Sequence, residues 1–232
     1  MLWSVLAGPA MATKINLTMT GLKAAASGFL KRLSGRPIHD LYGVTDGKAV
    51  GTHVEHEFHR HLGQRFSYKR GSSASGIDFP EIGVDLKVTS AKQPQSSCPF
   101  RDARQKVYGL GYHLLIFIYD KTDDRRSRTA RLTFRHAIFV GKQRTADYQT
   151  TYGLGEVLRR GGNADDIVAF LEERNLPLDE VGRRALAEEI LRSPPGLGYL
   201  TVSNALQWRL QYGRAISIAE SARVAGVENI LA

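Results

Sequence analysis

The residues best equipped for chemistry lie in Asp78-Phe-Pro-Glu-Ile-Gly-Val-Asp85-Leu-Lys87. Val84, Leu86 and Val88 alternate with Asp85, Lys87 and Thr89, a period of two that predicts a strand with apolar side chains on one face and polar ones on the other. Residues i and i+2 share a face, so the Asp85 carboxylate and the Lys87 ammonium stand side by side, roughly 6.6 Å apart along the strand. Pro80 and Gly83 supply the turn chemistry that folds Asp78 back towards them. Two carboxylates and a lysine converging at a strand edge can hold a hard divalent cation and orient a water molecule, which is what a hydrolytic site requires.

The pattern of apolar residues gives the elements that must position this set. Leu22, Ala25, Ala26, Phe29 and Leu33 predict a helix over 15–34, and Val50, Val54, Phe58 and Leu62 mark a second one from Lys48 to Leu62, with a loop from Gly35 to Gly47 between them. The glycine- and serine-rich stretch 68–76 is a loop, the hairpin 77–90 follows, and a flexible stretch runs through Pro94 and Pro99. A short helix around 101–108 leads into the continuous apolar run Tyr112–Tyr119, suited to a strand covered on both faces. After a charged turn over 121–128 comes a strand from Leu132 to Val140. From 143 onward the pattern is helical, over Glu156–Arg160, Ala164–Arg174, Asp179–Arg192, Val202–Tyr212 and Ile216–Ala225. The fold class expected is α/β (α+β), a mixed central sheet flanked by helices with a helical C-terminal part. Three regions are anticipated: a disordered leader over 1–14, with Met1 and Met11 as alternative starts, a catalytic core over 15–150, and a helical region over 151–232.

The charge balance points to the partner. Lys and Arg number 32 against 23 Asp and Glu, a net charge of +9, which favours a polyanion. No stretch approaches the roughly 20 apolar residues of a membrane span, so nucleic acid fits better than a membrane. The single cysteine, Cys98, excludes an intrachain disulfide, belongs to no recognisable motif, and suits a reducing cytoplasm.

Asp78-Phe79, Ile82-Gly83-Val84 and Asp85-Leu86-Lys87 resemble a phrase of the PD-(D/E)XK nuclease superfamily. Within it they are most similar to the mismatch-repair nicking endonuclease MutH and its restriction-enzyme relatives, where Asp and six further residues precede Glu-x-Lys. Asp85 stands at the position of that Glu. Lys48-Ala-Val-Gly51-Thr-His-Val-Glu55 resembles the same family's helix motif Lys-Gly-x-x-Gly-x-x-x-Glu, with alanine for the first glycine. The likeness covers roughly residues 48–90 and implies a restriction-endonuclease-like fold and metal-dependent hydrolysis of DNA. Asp78, Asp85 and the Leu86 carbonyl then offer oxygen ligands to Mg²⁺, with Mn²⁺ as a substitute, and Glu55 completes the acidic cluster. Lys87 orients or deprotonates the water and stabilises charge on the phosphorane.

Other residues are weighed beside these. His53, His56 and His59 recur every three residues on the second helix and read as a solvated face rather than a zinc site. Glu81 reads as a solvated turn charge and Lys106 as a surface lysine that could otherwise reach the scissile phosphate. Asn204, Gln207 and Gln211 fall at i, i+3, i+7 on the helix expected over 202–212, where amides can pair with adenine and Arg209 with guanine. Lys92 and the Arg125-Arg126-Ser-Arg128 turn are candidates for phosphate contact. The leading expectation is a type II restriction endonuclease cutting double-stranded DNA as a homodimer, with a cognate DNA methyltransferase in the same system that it need not touch. The alternatives are a nicking repair endonuclease that needs a partner protein, or a sequence-specific DNA-binding protein without catalysis.

Overall fold

The computed structural model describes residues 13–71, 76–97, 102–203, 209–221 and 223–231. The chain enters through β1 (Ile15–Asn16), and Thr18 starts α1 (Met19–Leu33) by accepting the Gly21 N–H on its hydroxyl. After β2 (Pro37–Ile38), Asp46 caps α2 (Gly47–Gly63) by accepting the N–H groups of Lys48 and Ala49. β3 (Phe66–Ser67) pairs in parallel with β1. There follow β4 (Val84–Ser90), β5 (Gln95–Ser97), α3 (Arg104–Tyr108), β6 (His113–Asp124) and β7 (Thr129–Val140). The C-terminal part consists of α4 (Tyr148–Arg159), α5 (Ala164–Glu173), α6 (Glu180–Arg192), β8 (Thr201–Val202), β9 (Arg209–Gln211), α7 (Gly213–Ser221) and β10 (Val227–Asn229).

The central sheet is mixed, in the order β10-β7-β6-β4, with β2 also paired to β7. β4 runs parallel to β6 from Val84↔His113 to Ser90↔Tyr119, and β6 and β7 form a long antiparallel ribbon. Successive residues of β6 are buried on opposite faces, which is why this stretch is apolar without a break. On one face Leu115 and Phe117 pack with Leu86 against Leu22, Phe29, Val54, Phe58 and Leu62 of α1 and α2. On the other, Leu114, Ile116 and Ile118 meet Tyr199, Leu200, Val202, Leu210 and Tyr212. A third cluster, including Val107, Leu154, Ile167, Leu171 and Ile190, unites α3 to α6.

The mixed sheet with flanking helices and the doubly covered strand agree with expectation. The helix expected over 202–212 does not form at its described ends, where β8 and β9 pair antiparallel with each other and β9 pairs with β5. There Val202, Leu210 and Tyr212 turn inward while Gln211 faces solvent, a strand pattern read as helical because the pairing partner, Gln95–Ser97, is more than a hundred residues away in sequence. The first helix begins only at Met19, since Ile15 and Asn16 are paired with β3. The charged turn is shorter than expected: Lys121–Asp124 belong to β6, leaving Arg125–Arg128 to turn. Most of the leader, with Cys98, Asn204 and Gln207, lies outside the described residues. No described helix is long and apolar enough to cross a membrane.

One buried carboxylate ties the C-terminal helices to the sheet layer. Asp147 Oδ2 accepts from the Thr150 N–H (2.9 Å) and hydroxyl (2.7 Å), capping α4, while Oδ1 accepts from the Val202 N–H at 2.9 Å. Its own N–H donates to the Lys106 carbonyl at 3.0 Å. Asp147→Ala strands these donors, and a loss of about 3 kcal/mol in unfolding free energy is expected from urea titration. A loss below about 1 kcal/mol would deny Asp147 this role.

Candidate active site

β4 lies at the open edge of the central sheet, paired among the described residues with β6 alone. The Leu86 N–H points out from that edge and donates to Asp78 Oδ2 at 2.7 Å. Asp78 is brought there by the 3-10 turn Pro80–Ile82 and by Gly83, whose φ of 60° suits glycine, with Phe79 bridging back to Val84. Because N–H and C=O of one extended residue point to the same side, the Leu86 carbonyl opens on this edge as well.

The two sides of β4 contribute different chemistry. In the register with β6, Asp85 lies beside Leu114 and Lys87 beside Ile116, so both leave the sheet on the face away from α2. Asp85 is only 3% exposed. Its Oδ2 lies 2.8 Å from Lys87 Nζ, an ion pair without the angles of a directed hydrogen bond, which leaves that oxygen without a hydrogen-bond donor. Burial pushes the Asp85 carboxyl up to about 7; the Lys87 ammonium opposes this, and the adjoining Asp78 carboxylate reinforces it.

From the other face come Glu55 and His59, one turn apart on α2. One ligand atom from each of Glu55, His59 and Asp78 lies within 4.8 Å of the other two. Burial, then the Asp78 charge, raises the Glu55 pKa, while the Arg70 guanidinium 3.9 Å away lowers it. His59 corrects the solvated-face reading. It is 6% exposed, packed in a triangle with the rings of Tyr68 and Phe79 at centroid distances of 5.9 and 5.1 Å, and burial above all, with Arg70 adding, drives its pKa down to about 4. Its place i+4 from Glu55, next to the buried Phe58, was the available signal; counting every third histidine hid it. His56 is exposed, as expected, and His53 half-buried.

The segment 68–71 closes the site from outside. The Gly71 N–H donates to the Asp78 carbonyl at 2.8 Å, and a Cβ at Gly71 would sit 1.8 Å from the Ile77 carbonyl oxygen, so only glycine permits this approach. Glu81, read as a free turn charge, instead accepts the Lys69 N–H at 2.8 Å. Lys14, His56, His59, Arg60, Tyr68 and Arg70 line an open cavity of about 630 Å³ beside the acids, a basic groove that no motif announced.

The residues expected to meet DNA are spread out. Arg209 and Gln211 sit at the two ends of β9, paired with Ser97 and Gln95, and exposed Lys92 lies in the turn that leads into β5 near Gln95. The Arg125–Arg128 turn lies nine residues beyond Ile116 along β6, roughly 30 Å from Lys87, and Arg128 rests over the Tyr42 ring. Lys106 is buried rather than a surface lysine.

The donors suit a divalent cation: carboxylates, a backbone carbonyl and an imidazole, with Asp85 Oδ2 and His59 Nε2 buried and lacking hydrogen-bond partners. A mixed sheet whose edge strand carries Asp85 and Lys87, with Asp78 folded back onto it and Glu55 reaching over from the flanking helix, has the make-up of the restriction-endonuclease-like nucleases. The sequence matches the family described as "Type II restriction enzyme NspV" over residues 16–229. The type II restriction enzyme NspV of Nostoc sp. is 55% identical over 203 residues, covering 88% of this chain and 92% of its own length. No solved structure matches significantly. The chain therefore belongs to the NspV family of type II restriction enzymes.

A carboxyl whose pKa is raised by folding supports the native state fully only below its ordinary value of 3.8, and that support is lost as pH rises through about 7. In EDTA, Asp85→Asn should therefore match the parent near pH 4 and exceed it at pH 8, by on the order of 4 kcal/mol in urea unfolding. Parallel pH curves would contradict the burial of a strained charge at this position.

Proposed function

We propose that this restriction enzyme hydrolyses phosphodiester bonds of double-stranded DNA at a short specific sequence, with Mg²⁺ as cofactor and Mn²⁺ as a substitute. The observation that carries this reading is the Asp78, Asp85 and Lys87 set at the open edge of β4, with a buried Asp85 oxygen held against Lys87 as an ion pair. Asp78, Asp85 and the Leu86 carbonyl are the residues that would hold the ion, with Glu55 completing the acidic cluster. When bound, a divalent ion supplies positive charge against the phosphoryl group and acidifies water.

The protein's own residues do the rest. The Lys87 side chain, about a quarter exposed, reaches the edge where a phosphate can approach, so its ammonium orients the attacking water and stabilises charge on the phosphorane. Asp78, fixed by the Leu86 N–H, stands beside Glu55 and His59, where its carboxylate can serve as a ligand. The basic groove with Lys14, Arg60 and Arg70 carries the phosphate backbone past the acids. Sequence is read by Arg209 and Gln211 of the small sheet, together with Asn204 and Gln207 of the same stretch of sequence, with Lys92 on a phosphate. Arg125, Arg126 and Arg128 are too far along β6 to reach the same phosphates and would meet the backbone further along the duplex. A homodimer would set two such edges on the two strands of a palindrome, in the cytoplasm, with a separate methyltransferase protecting the host sequence.

Phage DNA incubated with the protein should give discrete fragments with Mg²⁺ and none with EDTA; absence of cutting under both conditions would overturn the reading. Lys87→Ala and Asp85→Ala should each cut at least about 10³-fold more slowly while holding cognate DNA within a few-fold of the parent. Full activity in either would remove it from the site. Lys14→Ala with Arg60→Ala should lower the slope of log affinity against log salt by about two, and an unchanged slope would take the groove out of the DNA path.

A further inference from the structure

The cluster on the α2 side of β4 contains a group that the nuclease reading leaves idle. His59 is more than nine-tenths buried, and its Nε2 has no hydrogen-bond partner. The ring is held from behind: Nδ1 lies 2.8 Å from the Tyr68 hydroxyl, which is itself 3.4 Å from the His59 carbonyl oxygen. If the single hydroxyl proton is directed to that carbonyl, Nδ1–H donates to the Tyr68 oxygen and Nε2 keeps its lone pair. This is how metal-ligating histidines are commonly oriented, by a polar group on the other ring nitrogen. The rings of Tyr68 and Phe79 fix the imidazole plane.

The ring stands beside two carboxylates. A nitrogen of His59 and one oxygen from each of Glu55 and Asp78 lie within 4.8 Å of one another. Three donors each about 2.1 Å from one ion lie roughly 3 to 3.6 Å from one another, so side-chain rotations that close the set by about an ångström complete it. Arg70, 3.9 Å from Glu55, is half-exposed at the rim and can move aside.

We propose that His59 Nε2 is a metal ligand, which with Glu55 and Asp78 forms a second cation position opposite Asp85 and Lys87, selective for a first-row transition ion such as Mn²⁺ over Mg²⁺. Imidazole nitrogen suits Mn²⁺ and its neighbours, whereas Mg²⁺ takes oxygen almost throughout. The proposal rests on the functional reading in sharing Asp78 and Glu55 with the acidic cluster assigned there.

The test is pulsed electron paramagnetic resonance of Mn²⁺ added to the metal-free protein without DNA. Bound Mn²⁺ should show the nitrogen modulation of a coordinated imidazole. In His59→Gln that modulation should vanish and Mn²⁺ affinity fall about tenfold, with Mg²⁺ affinity, read by competition, changing less than about threefold. Tyr68→Phe should keep the modulation while weakening Mn²⁺ binding, as loss of an orienting partner does. Asp85→Asn should keep it too, since Asp85 lies on the other face. Mn²⁺ bound without nitrogen modulation, no Mn²⁺ binding by the parent, or an unchanged spectrum in His59→Gln would each overturn the proposal. Modulation in a protein that cuts no DNA would leave this site standing and remove the nuclease reading instead.

Discussion

A single hydrogen bond at a sheet edge organises this molecule's chemistry: the Leu86 N–H donating to Asp78. An unpaired N–H of an edge strand must find a partner, and here a carboxylate supplies it. The bond fixes Asp78 where side chains from the two faces of β4 can both reach it, Asp85 and Lys87 from one and Glu55 and His59 from the other. A strand sends neighbouring side chains to opposite faces, so no single strand could bring all of these groups to one side. The turn through Gly83, the close approach at Gly71 and the tether from Glu81 to Lys69 all serve to hold that meeting point.

The burial that builds the fold also sets the electrostatics of the site. Asp85 stands among Leu114, Ile116 and the C-terminal layer, and its charge is poorly solvated there. One lysine does not compensate fully, which leaves an oxygen without a hydrogen-bond donor on one face of β4 as His59 Nε2 lacks a partner on the other. A chain with net charge +9 can hold a cluster of carboxylates at the centre of a basic surface, drawing in a polyanion while keeping local negative charge for a cation.

Much of this was written in short-range patterns. The period of two across Val84–Thr89, the turn residues Pro80 and Gly83, and the four-residue stripe of α2 gave the strand, the reversal and the helix, and the motif spacing brought Asp78, Asp85 and Glu55 into one neighbourhood. What was hidden depends on distant partners. Arg209–Gln211 is a strand because Gln95–Ser97 lies against it, and a five-residue window carries no trace of that pairing. His59 is buried because Tyr68 and Phe79 fold over it from a segment beyond α2, so its environment is a property of the tertiary fold. The basic groove assembles Lys14, Arg60 and Arg70 from three separate segments, none of them a cationic run.

Exposed strand edges invite other chains to add a strand, the usual route to uncontrolled self-association, and proteins commonly blunt them with charge or irregularity. The edge of β4 is blunted by its own reactive groups: the Asp78 carboxylate occupies the outward Leu86 N–H and sets a negative charge where a neighbouring strand would dock. The same carboxylate thus does two jobs at this edge, offering an oxygen to chemistry and denying the strand to a neighbour.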